Sequence, residues 1–137
     1  SNKRYSIVPA DTASHFTADG RFYDLSGVTI SAPGEEREDI HSNGALISIG
    51  LQSTAVGGGT VRMFGTSMAA PHVTGVVALL QEAGMGMLYP EDIRYMIVLG
   101  ADNRYAPYAN PDSKYTFDGD LEGILSAPGS LSLVSWF

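Results

Sequence analysis

Ser67 is the residue in this chain whose setting most suggests chemistry. It lies in F-G-T-S-M-A-A-P-H-V-T-G-V-V-A-L-L-Q-E-A, residues 64–83, where a short strand-like run gives way to an apolar segment. Ala69, Val73, Val76, Val77, Leu80 and Ala83 recur at helical spacing, and Ala70, Ala78 and Leu79 add apolar surface on the other side. That pattern predicts a buried helix starting at the serine. The first N–H groups of a helix have no internal partner and carry the positive end of the dipole. A serine there sets its hydroxyl beside donors that can hold a developing oxyanion. Gly65, Ala69 and Ala70 let the neighbouring backbone come close, and Pro71 is expected in the first turn, where its missing N–H costs little. The plainer alternative is a helix cap at Thr66 or Ser67, a common use of both residue types.

The longer motif favours the chemical reading. G-T-S-M-A-A-P-H-V-T-G, residues 65–75, resembles the nucleophile motif of the subtilisin-like serine proteases, the subtilase family, at every position. Ser31-Ala32-Pro33-Gly34 looks like the A-P-G turn that precedes this motif in the family. Residues 89–101 look like its next helix and residues 123–131 like its closing segment. The resemblance implies an α/β fold, a parallel sheet flanked by helices, with a buried helix beginning at the nucleophile. It implies peptide-bond hydrolysis by Ser67, protein or peptide substrates, and a secreted or cell-envelope location in a bacterium. It corresponds to the C-terminal part of a subtilase catalytic domain, so residues 1–137 read as a single partial domain.

A subtilase also uses a D-(S/T)-G block, an H-G-T-H block and an oxyanion Asn, all upstream of the serine. Asp11-Thr12-Ala13 is the nearest echo of the first block, but it lacks the glycine and has the wrong order and spacing. No H-G-T occurs, and the context of Asn2 does not match, so no role passes to it. Of the three histidines, His72 lies inside the motif and reads as structural, whereas His15 and His41 lie in polar loops. A serine without a base is a weak nucleophile at neutral pH. The chain alone is therefore expected to be inactive, with the missing triad members supplied by the upstream part of the same domain.

Two other readings compete. One is a non-catalytic subtilase-like fragment that serves as a binding or assembly module. The other is a different serine hydrolase, since a strand–Ser–helix turn also occurs in the G-x-S-x-G elbow. That fold needs a histidine well after the serine, and none follows His72. No cofactor is expected. Calcium is conceivable at the acids Glu35, Glu36, Glu38 and Asp39, or at Asp112, Asp118, Asp120 and Glu122. Solvated surface charge accounts for both groups, and no EF-hand spacing is present.

Composition bounds the rest. The 137 residues are 44% hydrophobic, as in an ordinary globular chain. A formal charge of -7 argues against nucleic acid and anionic lipid as partners. The absence of cysteine removes disulfides and thiol chemistry. No apolar run is long enough to span a membrane, and S-N-K-R-Y-S at the start has no signal-peptide core.

The elements that must position Ser67 are read from turn signals and periodicity. Strands are expected over residues 25–32, 45–51 and 60–64, with Gly57-Gly58-Gly59 as a turn. Residues 35–43 read as an acidic exposed loop. Gly84 is expected to end the first helix. A second helix starts at Tyr89-Pro90-Glu91-Asp92, presents Ile93, Met96 and Ile97 inward, and stops at Gly100. Short ordered pieces are expected at 115–117 and 123–125. The repeated S-A-P-G, at residues 31–34 and 126–129, reads as coincidence, because nothing around the two copies matches. Strand edges and apolar helix surface left open by a partial domain suggest self-association or binding to the missing part.

Overall fold

The computed structural model of the chain describes residues 28–39, 46–48, 50–102 and 122–136. In chain order these form β1 (Arg37–Asp39), β2 (Leu46–Ser48), β3 (Leu51–Thr54), β4 (Thr60–Met63), α1 (Thr66–Ala83), α2 (Pro90–Leu99), α3 (Ala127–Leu131) and a 3-10 turn, Val134–Trp136.

The strands pair locally. β1 and β2 are antiparallel, with Glu38 opposite Ile47. Part of the segment expected as an acidic loop is therefore a strand. β3 and β4 form a second antiparallel hairpin, with Leu51 opposite Met63 and Thr54 opposite Thr60. Its tip is the expected glycine turn, in which Gly57, Gly58 and Gly59 all have positive φ. The single strand expected over 45–51 is instead divided between two hairpins. Gly50 lies at the division with φ 69, a conformation that breaks strand geometry and that glycine adopts without strain.

The parallel sheet implied by the resemblance does not occur among the described residues. Their parallel pairing is one bridge, Ser31 to Ile124. Ser31 N–H donates to Gly123 O (3.0 Å) and Leu125 N–H donates to Ser31 O (2.8 Å). Ile124 also exchanges two backbone bonds with Asp102, of 2.8 and 3.2 Å. Residues 123–125 thus run between two other extended segments. Of the strand expected over 25–32, Ser31 alone is bridged, and 25–27 lie outside the described residues, as do 115–117.

The helices carry the core. Val76 and Leu80 of α1 meet Ile93, Met96 and Ile97 of α2, all buried. Ile30, Leu125, Leu131 and Val134 pack against this cluster. The inward residues of α2 are the i, i+3, i+4 set that its periodicity predicts. Its ends also follow local rules. Pro90 occupies the first turn, the Asp92 carboxylate accepts the Tyr89 N–H at 3.0 Å, and Gly100 closes the helix. α1 ends at Gly84, whose N–H donates to Leu80 O at 2.8 Å.

α1 departs from expectation in its burial. α2 and α3 pack along one side of it. Val76 and Leu80 are its buried residues, while Leu79 is 44% exposed. The helix buried all round is not found, because no described element covers the opposite face.

α2 and α3 approach backbone to backbone. A β-carbon on Gly129 would strike Gly100 O, and one on Gly100 would strike Ser130 N. The hydroxyl of Ser126 caps α3 by accepting the Gly129 N–H at 3.2 Å. The two S-A-P-G copies take different conformations, extended at Ser31 and helical from Ala127. Ser130 beside this contact is fully buried, and its hydroxyl has no partner.

Candidate active site at Ser67

β4 delivers the chain to Ser67. After Met63 the backbone passes through Phe64 to Gly65, which caps α1 with φ 142 and ψ 168. A side chain disfavours that φ, so the turn into the helix relies on glycine here. Because Gly65 is the cap, Thr66 and Ser67 are the first two helical residues and neither caps the helix. The first bonds to Gly65 O come from Met68 N–H (2.9 Å) and Ala69 N–H (3.4 Å). The Thr66 and Ser67 N–H groups precede them, among the donors a helix cannot satisfy internally. α1 has no acidic residue in its first turn, so no carboxylate there offsets the positive end of the dipole.

The Ser67 side chain is exposed. Among the described residues no hydrogen bond engages its hydroxyl. Pro71 falls deeper than the sequence suggested, because α1 starts at Thr66 and Pro71 is inside the helix, in its second turn. An N–H at that position would have bonded to Ser67 O; proline removes the donor and crowds that carbonyl. The serine therefore stands in a turn whose helical ladder is broken on its C-terminal side as well as open on its N-terminal side.

The entry to the turn is tied to the first S-A-P-G segment. Gly65 N–H donates to Gly34 O at 2.8 Å. A β-carbon on Gly34 would come within 2.9 Å of Gly65 O, so the two glycines permit a close backbone approach.

His72 is exposed, not buried as expected. Its Nδ1 lies 2.9 Å from Met68 O. A carbonyl can only accept, so Nδ1 carries the proton, and a neutral ring then has its lone pair on Nε2. Five positions along a helix do not place two side chains on one face, so His72 is not directed at Ser67. His15 and His41 lie outside the described residues, as do Asn2, Asp11, Asp112, Asp118 and Asp120. Among the described residues no group of three His, Asp or Glu side chains is arranged to hold a metal, and no helix is long and apolar enough to cross a membrane.

One contact was not legible in the sequence. Arg62 of β4 donates to the Glu36 carboxylate at 3.1 Å and to Gly50 O at 2.9 Å. The partners are 26 and 12 residues away. The acidic run and the lone arginine before the motif were its visible traces.

A glycine-capped helix with an unengaged serine in its first turn is a setting for acyl-transfer chemistry. The chain matches the family described as the Subtilase family over residues 5–117, and it belongs to that family. The match includes the whole of 65–75 and stops short of the segment at 123–131. The chain is also similar to a subtilisin-like protease of Coccidioides posadasii (strain C735), with 29% identity over 116 residues. That alignment takes in 81% of this chain and 28% of the relative, so the chain spans a minor part of the relative's length. No solved structure matches the chain significantly.

Proposed function

We propose that this chain is the nucleophile-bearing part of a subtilisin-like serine endopeptidase. Ser67 attacks the carbonyl carbon of a peptide bond. A histidine from the upstream part of the same domain takes the hydroxyl proton and returns it to the leaving amine, and an upstream aspartate orients that histidine. The Ser67 N–H, at the open end of α1, donates to the oxyanion. The parallel sheet and the cover for the outer face of α1 belong to the same missing region, as do the segments that would form much of the substrate cleft. The substrates are proteins or peptides, and the setting is secreted or cell-envelope. The reading rests above all on the glycine cap. With Gly65 as cap, the Ser67 hydroxyl is not spent on ending the helix.

Fluorophosphonate labelling tests this, with mass spectrometry to locate the adduct and Ser67→Ala as the control. The chain alone is expected to stay unlabelled, because no base among the described residues faces the serine. Expression with the region that precedes it in the parent protein is expected to produce an adduct on Ser67. Labelling of the isolated chain would refute the divided triad. No labelling of the combined protein would favour the non-catalytic assembly module instead.

A further inference from the structure

We propose that Arg62 is a positioning residue for Ser67, acting as an ionic clamp between the strand that carries the serine and the segment at Gly34–Glu36. The proposal rests on the assignment of Ser67 as nucleophile, and it adds how this chain holds the serine's turn in place.

Three contacts converge just before Ser67. Gly65 N–H bonds Gly34 O at 2.8 Å. Two residues further along that segment, the Glu36 carboxylate receives Arg62 at 3.1 Å. The same Arg62 nitrogen donates to Gly50 O at 2.9 Å, in a part-buried bond. Gly50 can offer its carbonyl there because it has no side chain. A β-carbon would lie 2.6 Å from Met63 C and O. With φ 69, Gly50 is held tightly against the backbone of β4 beside Arg62.

The arrangement makes a small frame. β4 is pinned to β3 by the hairpin, to Gly50 by Arg62, and to residues 34–36 by both Arg62 and Gly65. From Arg62 to Ser67 there are only Met63, Phe64, Gly65 and Thr66. Phe64 and Gly65 lie between the end of β4 and the first residue of α1, Thr66, so the link from Arg62 to the serine is short and slack at Arg62 reaches it. Glycine at 65 makes that slack larger, because it tolerates many φ values. An arginine suits the task, since the Nη1 of Arg62 carries two N–H groups in a fixed planar geometry and can reach both acceptors.

The two grips differ in strength. The ion pair is exposed on both sides, 40% and 47%, so solvent and salt screen it. The bond from a charged guanidinium to the part-buried carbonyl is the stronger hold. Removing the arginine should therefore matter more than removing the glutamate, and lysine, which retains the charge and several N–H donors on a single nitrogen without the planar guanidinium geometry, should recover part of the effect.

Two readouts on Arg62→Gln, Arg62→Lys and Glu36→Gln test the clamp. The first is hydrogen exchange of the Gly65 amide in this chain, with the Leu80 and Met96 amides as reporters of the core. Arg62→Gln is expected to speed Gly65 exchange about tenfold, as loss of a charged hydrogen bond would, with the core amides unchanged. Arg62→Lys should fall between it and the parent chain. Glu36→Gln should have a smaller effect that vanishes in about 1 M salt, where screening acts within a few ångströms. The second readout is the rate of fluorophosphonate labelling at Ser67 in the protein joined to its upstream region, which should fall in step with the exchange rates. Unchanged Gly65 exchange in Arg62→Gln would overturn the clamp. Faster exchange with an unchanged labelling rate would overturn its role in positioning the serine. If the parent protein does not label at all, the nucleophile assignment fails, and Gly65 exchange alone then decides whether the clamp exists.

Discussion

At the scale of single residues, the behaviour of Ser67 depends on its neighbour Gly65 as much as on its own chemistry. Gly65 has φ 142, and a β-carbon there would meet nothing closer than 3.9 Å. Space is available, so backbone strain is the obstacle to substitution. Gly65→Ala should destabilise the chain by about 1–3 kcal/mol, the usual range for a side chain forced into such a conformation. It should do so without disturbing the core between α1 and α2. Urea denaturation measures the loss, and unchanged stability would mean that the turn relaxes to another φ. In that case the serine would move with it. The position of Ser67 at the start of a helix was legible from sequence, because caps, glycine and period are local signals. Pro71 was misplaced by a turn, because the helix was read as starting at Ser67, whereas Gly65 is the cap and Thr66 is already helical. The clamp at Arg62 was illegible, since pairing over 26 residues leaves no periodic trace.

At the scale of elements, α2 was the most legible part of the chain. Proline, two acids, an i, i+3, i+4 apolar set and a closing glycine all act within one short stretch, Pro90 to Gly100, and each found its expected place. The strands were less legible because their pairing is decided by partners. Residues 37–39 of the acidic segment read as a loop and became β1, and one apolar run split at Gly50 into strands with different partners. The contact of α2 with α3 was also hidden, although its two glycines were in view. Each reads locally as a helix stop or turn residue, whereas their shared role is close approach. Gly100→Ala tests that role. The new methyl group would strike Ser130 N and Gly129 C, which are backbone atoms that cannot rotate away. Overpacking of this kind costs about 1–3 kcal/mol. The expected result is a lower midpoint in thermal unfolding, with Leu131 and Val134 released from the core cluster. If the midpoint stayed unchanged, α3 would be free to shift, and its packing would contribute little to the fold.

At the scale of the whole molecule, the described residues bury few large side chains and expose many. The buried apolar residues are Val76, Leu80, Ile93, Met96 and Ile97. Against them stand Met63 at 52% exposure, Phe64 at 53%, Leu79 at 44% and Leu99 at 54%. Single exposed apolar residues are ordinary, but here some lie beside the serine and others on the helices that carry the core. Exposed apolar surface of this kind marks a place for another protein surface. Under the proposed function, the surface that would fit is the upstream part of the same domain. The same faces have no such partner when the chain is purified alone, and apolar faces without a partner meet each other. Light scattering after size exclusion should therefore give a mass above that of one chain. Co-expression with the upstream region should replace this species with a one-to-one complex, because the faces can be covered only once. The formal charge of -7 opposes self-association, and salt screens that repulsion, so the homomeric species should grow as salt is added. A stable monomer at all salt concentrations would mean that these side chains are content in water. The case for a missing cover over α1 would then rest on the family resemblance alone.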